Sequence, residues 1–418
     1  MNAVIRQAGG RWRRGATERA ALLLGTMALL LVNQGCGRPV ALDTEESAPP
    51  FSFRRLDLQQ RTREGLPAWT LKSPEARYNI RSSIARALRP EGVIFSKGKP
   101  LYRLAAMTGT VVNDGAVILL EGSIRLQRLG SNPLVVLAER VVWIPSDSLM
   151  RFDLLPRVRD PRNRVSSQRA TLYLDQDLLE LRGEPRLERW SRPIPLGSAA
   201  TLEPPEIVAL VKTLDWHPGK GDLRGQGPVT IRRHPPRTSS KAPPQVLRAA
   251  RLEGNTLQQR YTLQGPVQID DPNEGSWFRG GALTFAAKEQ WLTSAGAFQA
   301  QKRSLQLRGE ALRLDGKHTT VSIERNCQLQ QHGDELQARR CQWNWTSQAV
   351  EAEGDVVFRR QANQQLTRAE RLQAQLGPRG NVLASTPGGR VVTELRVPRR
   401  AGPPARPRVP AKPEPIVF

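Results

Sequence analysis

The chain has 418 residues, enough for two or three domains at roughly 100–200 residues each. Its 63 basic and 39 acidic side chains give a formal net charge of +24. Such a surplus favours an anionic partner (nucleic acid, acidic lipid headgroups or an acidic glycan), or else a solvated basic surface. No helix-turn-helix, zinc-ligand spacing, aromatic RNA-binding motif or catalytic constellation is found, so we predict no nucleic acid, metal, cofactor or enzyme activity.

Residues 1–36 predict an export signal. Several arginines precede the apolar segment 20–32, which is short for a membrane span of about 20 residues. Gly35 and Cys36 follow in a pattern that looks like a bacterial lipobox, in which Cys36 is lipidated; an uncleaved signal anchor is the alternative. Residues 37–50 then predict a polar tether, and either anchor leaves the rest of the chain outside the cytoplasm.

From residue 51 onward the chain consists of short alternating stretches separated by Gly, Pro, Asn and Asp. No long segment has a clean 3.6-residue period, so we predict an all-β fold of antiparallel strands. The stretch 81–89 reads equally as a strand or as two helical turns.

One strand pattern recurs with a glycine in the middle of its apolar face. In YTLQGPVQID (261–270) apolar residues alternate with polar ones, and Gly265 falls in the apolar phase. An Ala introduces a second strand in each copy, so one unit is strand, hairpin, strand, and its neighbours must share the burial. The other copies centre on Gly122, Gly183, Gly227, Gly309 and Gly354, with a bulge expected after Gly309. Their separations, mostly near 44 residues, predict a repeat architecture.

A glycine inside a strand marks a tight bend, a bulge or a close approach. Repeated in every unit, it would bend the strands along a common line and form a folded trough. Either the trough is partly open for something long and apolar, or the glycines only let two sheets fold over each other and side chains fill the interior. The lining residues predicted from phase are Trp69, Leu71, Tyr102, Leu104, Ile118, Leu120, Ile124, Leu126, Val141, Trp143, Tyr261, Leu263, Val267, Ile269, Val356 and Phe358.

Three stretches, at 66–79, 98–126 and 133–145, follow a known order: a Trp-containing strand, a Tyr-containing strand, an L-x-G-x-I-x-L strand and an L-x-A-x-x-V-x-W strand. In this order and spacing the chain resembles the LptC family of lipopolysaccharide export, whose β-jellyroll it shares with LptA and OstA. The resemblance is good over 51–190 and weaker, but repeat-like, over 191–396.

The resemblance implies a bent-strand β-jellyroll with stacked Gly-centred repeats in two arrays, LptC-like over 51–190 and LptA/OstA-like over 191–396. It implies a periplasmic protein held at the inner membrane. Such a protein accepts lipopolysaccharide or a related anionic glycolipid from an inner-membrane ABC transporter. It then passes the lipid to an LptA-like bridge protein through edge-strand pairing. The alternative is an extracytoplasmic β-solenoid scaffold that binds an acidic glycan or an envelope protein.

With Cys36 lipidated, Cys327 and Cys341 remain as an even pair in an oxidising compartment. The segment between them reads as a hairpin that turns at residues 332–334 and places the two residues face to face. We predict a disulfide, with two buried thiols as the alternative. Residues 397–418 are rich in Pro and Arg and predict a disordered tail.

Overall fold

The computed structural model describes four stretches of the chain, residues 51–196, 204–235, 242–375 and 380–395. The predicted signal with Cys36, the tether 37–50 and the tail 397–418 lie outside the described residues. All described residues belong to one compact unit, Pro49–Phe418. Within them, no helix is long and apolar enough to span a membrane.

The described residues form short strands joined by tight turns, with 3-10 turns at Asn113–Gly115, Pro145–Asp147 and Gln361–Asn363. In the ambiguous stretch 81–89, a turn at 81–83 is followed by a strand over Ile84–Leu88. The strands are β1 (Phe51–Phe53), β2 (Leu56–Arg61), β3 (Pro67–Ser73), β4 (Glu75–Asn79), β5 (Ile84–Leu88), β6 (Glu91–Ser96), β7 (Lys99–Ala105), β8 (Thr108–Val112), β9 (Val117–Arg128), β10 (Leu134–Ile144), β11 (Leu149–Asp153), β12 (Arg157–Arg159), β13 (Asn163–Ser166), β14 (Arg169–Tyr173), β15 (Leu178–Arg182), β16 (Arg186–Arg189), β17 (Ile207–Leu210), β18 (Thr213–His217), β19 (Asp222–Gln226), β20 (Val229–Arg233), β21 (Gln245–Ala249), β22 (Arg251–Asn255), β23 (Arg260–Gln264), β24 (Val267–Asp271), β25 (Ser276–Gly280), β26 (Leu283–Ala286), β27 (Trp291–Lys302), β28 (Leu305–Asp315), β29 (Thr320–Gln331), β30 (Asp334–Ala338), β31 (Arg340–Asn344), β32 (Ala349–Arg360), β33 (Gln365–Gln375), β34 (Val382–Ser385) and β35 (Val392–Glu394).

A full strand is either one long strand, such as β9, or two consecutive short strands, such as β15 and β16. Each full strand is bent, and its two halves belong to two facing sheets. Strand β9, for example, pairs with β8 before its bend and with β7 after it. Every pairing is antiparallel and joins full strands that are neighbours in the chain, which confirms the predicted all-β, bent-strand fold. Sheet I contains β1, β4, β5, β8, β11, β14, β15, β18, β19, β22, β23, β26, β31, β34 and one half each of β9, β10, β27, β28, β29, β32 and β33; the remaining strands and halves form sheet II.

The repeated glycines lie at the corners, the points where a strand passes from one sheet to the other. Five of them have positive φ angles, between +77° and +87°, which a residue without a Cβ adopts readily. A Cβ placed on any of them would lie within about 3 Å of the side chain 15 positions earlier, which belongs to the adjacent corner. These pairs are Gly122 with Met107, Gly183 with Gln168, Gly227 with Lys212, Gly265 with Ala250 and Gly354 with Arg339.

The glycines therefore bend the strands along a common line, as predicted. The hypothesis that the missing side chains open a channel inside the fold is wrong at these corners. The neighbouring corner's side chain already occupies the space that each glycine leaves.

The structural unit is a pair of bent strands, and it does not recur at a constant period of 44 residues. Gly309 lies in β28, which crosses from sheet II to sheet I and so runs opposite to the strands of the other copies. The strand pairing shifts register next to it, as the predicted bulge requires. The gap of 61 residues between Gly122 and Gly183 contains a corner without glycine. Leu154 and Leu155 occupy it with φ angles of +63° and +58°.

The strand pairing continues across the predicted boundary between residues 190 and 191. Arg186 of β16 lies opposite Leu210 of β17, and β15 pairs with β18 in the other sheet. Buried apolar side chains from both sides of this boundary form one cluster. The division into two arrays stays a prediction that rests on the family resemblance.

Candidate functional site

The space between the two sheets is apolar along the whole described fold. Of the 16 predicted lining residues, 14 are buried in one hydrophobic cluster, and Tyr261 and Ile269 are half-buried and pack against it. Alternation along each half-strand explains this, because every second side chain of a strand points to the same face. The phase of the sixteen is thus as predicted, while their contact with lipid stays a prediction.

Side chains fill the interior in its first part. Leu71, Tyr102, Ile118 and Leu120 have no accessible surface, and Trp143 is 1% exposed. The Trp143 ring meets the ring of Trp69 edge-on, with centroids 5.3 Å apart, across the two sheets. In this conformation the sheets are closed on each other here, and a guest would have to part them.

The open side of the folded sheet is bordered by the turns that join successive strands. The turns of sheet I form one rim and those of sheet II form the other, and the gap between them is the mouth of the fold. Whatever enters the interior sideways must pass between these rims.

A polar network joins the two rims in the first half of the fold. The Asp177 carboxylate, in a turn of sheet I, accepts hydrogen bonds from the Tyr102 hydroxyl (3.2 Å) and from the backbone N–H of Gly219 (2.6 Å). It also lies 3.5 Å from Nε of Arg128, which belongs to sheet II. The Asn132 side chain donates to the carbonyl of Gly219 at 3.3 Å, again from rim to rim. We call these five residues the rim clamp.

The clamp is partly shielded from water, which strengthens its ionic contacts. The side chains of Arg128 and Asp177 are 13% and 26% exposed. Burial raises the pKa of Tyr102 well above 10, and the negative charge of Asp177 raises it further, whereas Arg128 opposes the shift. Tyr102 therefore stays protonated and donates its hydroxyl hydrogen to Asp177.

Beside the clamp the mouth opens into a cleft of about 230 Å³. Sheet II contributes two turns and one arginine, and sheet I contributes a tryptophan and two turns. We call it the mouth cleft; its lining is Ser131, Asn132, Pro133, Leu134, Asp160, Pro161, Arg162, Asn163, Arg189, Trp216, Pro218, Thr256, Leu257 and Gln259.

The charges of the mouth cleft are two guanidinium groups and one carboxylate. The carboxylate, Asp160, is already bonded to the backbone N–H groups of Arg162 and Asn163, each at 2.7 Å, and to the Asn163 side chain at 2.8 Å. Arg189 donates to the Asn163 amide oxygen at 3.4 Å, and Arg162 is exposed. Tyr261 lies near Asp160 and Arg189; burial raises its pKa, with Arg189 opposing and Asp160 adding to the shift.

Three buried tryptophans of sheet I have indole N–H groups that no described protein group accepts. They are Trp143, Trp216 and Trp343, each at most 5% exposed. Buried donors without a partner are uncommon and carry a desolvation cost of about 1–3 kcal/mol. Trp69, by contrast, is equally buried, and its indole donates to the side chain of Gln60.

Cys327 and Cys341 are joined by a disulfide, with their Cα atoms 5.9 Å apart. They do not face each other across a straight hairpin, as the sequence suggested. Cys327 lies opposite Ala338 in sheet II, and Cys341 lies opposite Ile323 in sheet I. Strand β29 bends between these positions, so the bond crosses from one sheet to the other just inside the corner.

Sequence reasoning missed both the rim clamp and the mouth cleft. The two bring together distant segments of opposite sheets: Tyr102 of β7 and the turn residue Asp177 are 75 positions apart. Asp177 and Gly219 stand in ordinary turn sequences, where Asp and Gly are expected. These contacts depend on which turns of the two rims face each other in the folded protein, and a single sequence contains no signal for that arrangement.

Comparison with known proteins finds a family similar to the first part of the chain. Residues 20–186 match the family described as lipopolysaccharide-assembly, LptC-related, which confirms the resemblance over that segment. No curated protein sequence matches the chain. One similar solved structure is that of LptH from Pseudomonas aeruginosa, an LptA-homologous periplasmic component of the lipopolysaccharide transport device. It is 11% identical, with a TM-score of 0.25, over 34% of this chain and 93% of that one.

Proposed function

We propose that this protein carries glycolipid through the periplasm, most specifically lipopolysaccharide, between an inner-membrane ABC exporter and a bridge protein that leads to the outer membrane. It would be anchored to the inner membrane through the segment 1–36. The match of residues 20–186 to the LptC-related family supports this role.

The single observation that carries the proposal is the apolar cluster that runs without interruption between the two sheets, from Trp69 to Ala374. Acyl chains placed there would leave water, and each methylene contributes about 0.8 kcal/mol when buried. The anionic headgroup would remain outside, near the two arginines of the mouth cleft.

Loading requires the sheets to part, since the interior is closed in its first part. The rim clamp holds the mouth shut by polar contacts between turns, which break at lower cost than a packed core. An arriving amphiphile would replace core side-chain contacts with its own acyl chains, so that little apolar surface becomes exposed during entry.

Onward transfer would use the open edges of the sheets. Within the part of the chain that the structure describes, strands β1 and β2 pair on one side only, as do β34 and β35 at the other end. Phe51, Phe53, Leu383 and Val392 at these edges are 44–67% exposed. Unpaired edges with exposed apolar side chains suit strand-to-strand docking on another jellyroll. The additional repeats over 191–396 would then act as a fused bridge segment.

Photo-crosslinking in cells tests the proposal. A diazirine amino acid at Leu120 or Leu263, both buried, should crosslink to acylated lipid that mass spectrometry identifies as lipopolysaccharide. The same probe at exposed Glu121, next to Leu120 on β9, or at exposed Gln268 on β24, beyond the bend that follows Leu263, should not. Crosslinks from the interior only to protein would refute a carrier role.

The second candidate is a scaffold that binds an acidic glycan or an envelope protein through its arginines. The closed packing around Tyr102, Leu120 and Trp143 favours it. It predicts that the interior positions never contact lipid, so the same crosslinking experiment decides between the two.

A further inference from the structure

The mouth cleft has features that the carrier role by itself does not require. It lies where the two rims separate beside the clamp, and Trp216 forms part of its wall. From these features we infer that the cleft binds the junction between acyl chain and headgroup in an anionic acylated lipid, with the Trp216 indole N–H donating to an acyl carbonyl and Arg162 and Arg189 binding a phosphate. This inference rests on the proposed function and names the part of the cargo that this opening recognises.

The Trp216 indole is a buried donor in the wall of the cleft. The Trp216 side chain is 95% buried, and its Nε1–H has no acceptor among the described residues. Trp216 forms part of the cleft wall, and its indole nitrogen has almost no accessible surface in this conformation, so an acceptor reaches it when the rims part further. Ester and amide carbonyls are the acceptors that an acylated lipid has at the point where its chains meet its headgroup.

The charged groups of the cleft suit an anion. Arg162 extends from its turn without a described ion-pair partner, and Arg189 has only a long bond to Asn163. Asp160, the one acidic group of the lining, already accepts three hydrogen bonds from its own turn. The guanidinium groups are therefore available to an anion, and guanidinium binds phosphate in a bidentate manner.

The size and the position of the cleft fit one part of such a lipid. A volume of about 230 Å³ is smaller than the roughly 300–1,000 Å³ of pockets that enclose a whole small molecule. The cleft therefore suits one region of a larger amphiphile. Leu257, 43% exposed, adds an apolar contact to the lining, and Trp216 itself belongs to the buried apolar cluster.

Crosslinking from the cleft itself tests the inference in the full-length protein. With a diazirine amino acid at Leu257, we expect a glycolipid adduct in the wild-type background. Arg162→Gln combined with Arg189→Gln should lower its yield about tenfold, and Trp216→Phe should lower it about threefold, in line with charged and neutral hydrogen bonds. Arg313→Gln, an exposed arginine on the outer face of sheet I, is the matched charge control and should leave the yield unchanged.

Thermal unfolding separates binding from folding. Trp216→Phe and Trp69→Phe remove the same atoms from buried sites, but only the second breaks an indole hydrogen bond within the protein. Trp216→Phe should therefore lower the unfolding midpoint less than Trp69→Phe, while reducing the adduct more.

Purified protein distinguishes the phosphate of a lipid from free phosphate. The phosphorylated glycolipid should protect position Leu257 from chemical labelling. The same lipid after phosphatase treatment should give about tenfold less protection at this position, and inorganic phosphate should give none. Adducts at Leu257 that are unchanged by all three substitutions, while Leu263 still crosslinks to lipid, would overturn the cleft assignment and leave the carrier role standing. Loss of lipid adducts at both positions in wild type would instead refute the carrier role.

Discussion

The hydroxyl of Tyr102 donates a hydrogen bond of 3.2 Å to Asp177, which joins the inner face of sheet II to a turn of sheet I. The two residues are the centre of the rim clamp, which also includes Arg128 and the backbone of Gly219. Because the contact spans the mouth, it links the stability of the fold to the opening that the cargo would use.

Asp177→Ala should lower the free energy of unfolding by about 2–4 kcal/mol, because it leaves the Arg128 charge and the Tyr102 hydroxyl without their partner in a shielded site. The estimate stays below that for a fully buried pair because Asp177 is 26% exposed. Urea unfolding monitored by tryptophan fluorescence measures it. Glu184→Ala, an exposed acidic residue at a corner, is the control and should change the free energy by less than about 0.5 kcal/mol.

Alkaline pH should weaken the fold through Tyr102. Its pKa in the folded protein lies above the ordinary 10.0, because burial and then Asp177 favour the protonated form. This stabilisation is fully present below pH 10 and is lost as the pH rises above 10 towards the folded-state pKa, with a slope of about 1.4 kcal/mol per pH unit. Unfolding free energies at pH 9, 10 and 11 measure it. Tyr102→Phe should flatten the slope, and an unchanged slope in this variant would contradict the assignment.

The corner glycines differ from other glycines in what surrounds them. Gly183 and Gly65 have nearly the same φ, +80° and +79°, but only at Gly183 would a Cβ meet a neighbour, the side chain of Gln168 at 2.6–2.7 Å. Replacement by Ala should cost about 1 kcal/mol at Gly65 through backbone strain alone, and about 2–3 kcal/mol at Gly183 through strain and overlap. Chemical unfolding of the two variants compares them directly; equal losses would show that corner stacking does not matter.

One corner shows the opposite arrangement. Leu154 has a φ of +63° where the equivalent corners have glycine, and its side chain is 62% exposed. Leu154→Gly should therefore raise the free energy of unfolding by about 1 kcal/mol, since it relieves backbone strain and removes few contacts. Differential scanning calorimetry measures the shift. Leu137→Gly, an exposed leucine within a regular strand, is the control and should lower the stability.

Local alternation was enough to predict the antiparallel bent strands and the inward position of residues such as Leu71, Ile124 and Phe358. It was not enough to predict the length of the repeat. The corner at Leu154 and Leu155 has no glycine, and Gly309 lies in a strand that crosses between the sheets in the opposite direction. Whether the interior is open or filled depends on how side chains of two sheets interlock, as Trp69 and Trp143 do, and one sequence does not contain that information. The rim clamp and the mouth cleft depend in the same way on which turns of the two rims face each other.

The disulfide between Cys327 and Cys341 should stabilise the fold by about 3 kcal/mol, because it closes a loop with a sequence separation of 14 and so restricts the unfolded chain. Reduction should lower the urea midpoint of the wild type. The double variant Cys327→Ala/Cys341→Ala should have the same midpoint as the reduced protein, and reductant should not change it. The reduced wild type and the double variant should both keep their secondary structure, since the strands on either side of the bond pair through their backbones. Cys36→Ser, which leaves both bonded residues in place, should respond to reductant as the wild type does. An intact mass that does not rise by about 2 Da on reduction would show that the bond is absent from the isolated protein.

Since the bond ties sheet I to sheet II at a corner, it should limit how far the sheets part near Phe358, so reduction should also raise crosslinking from that position to lipid.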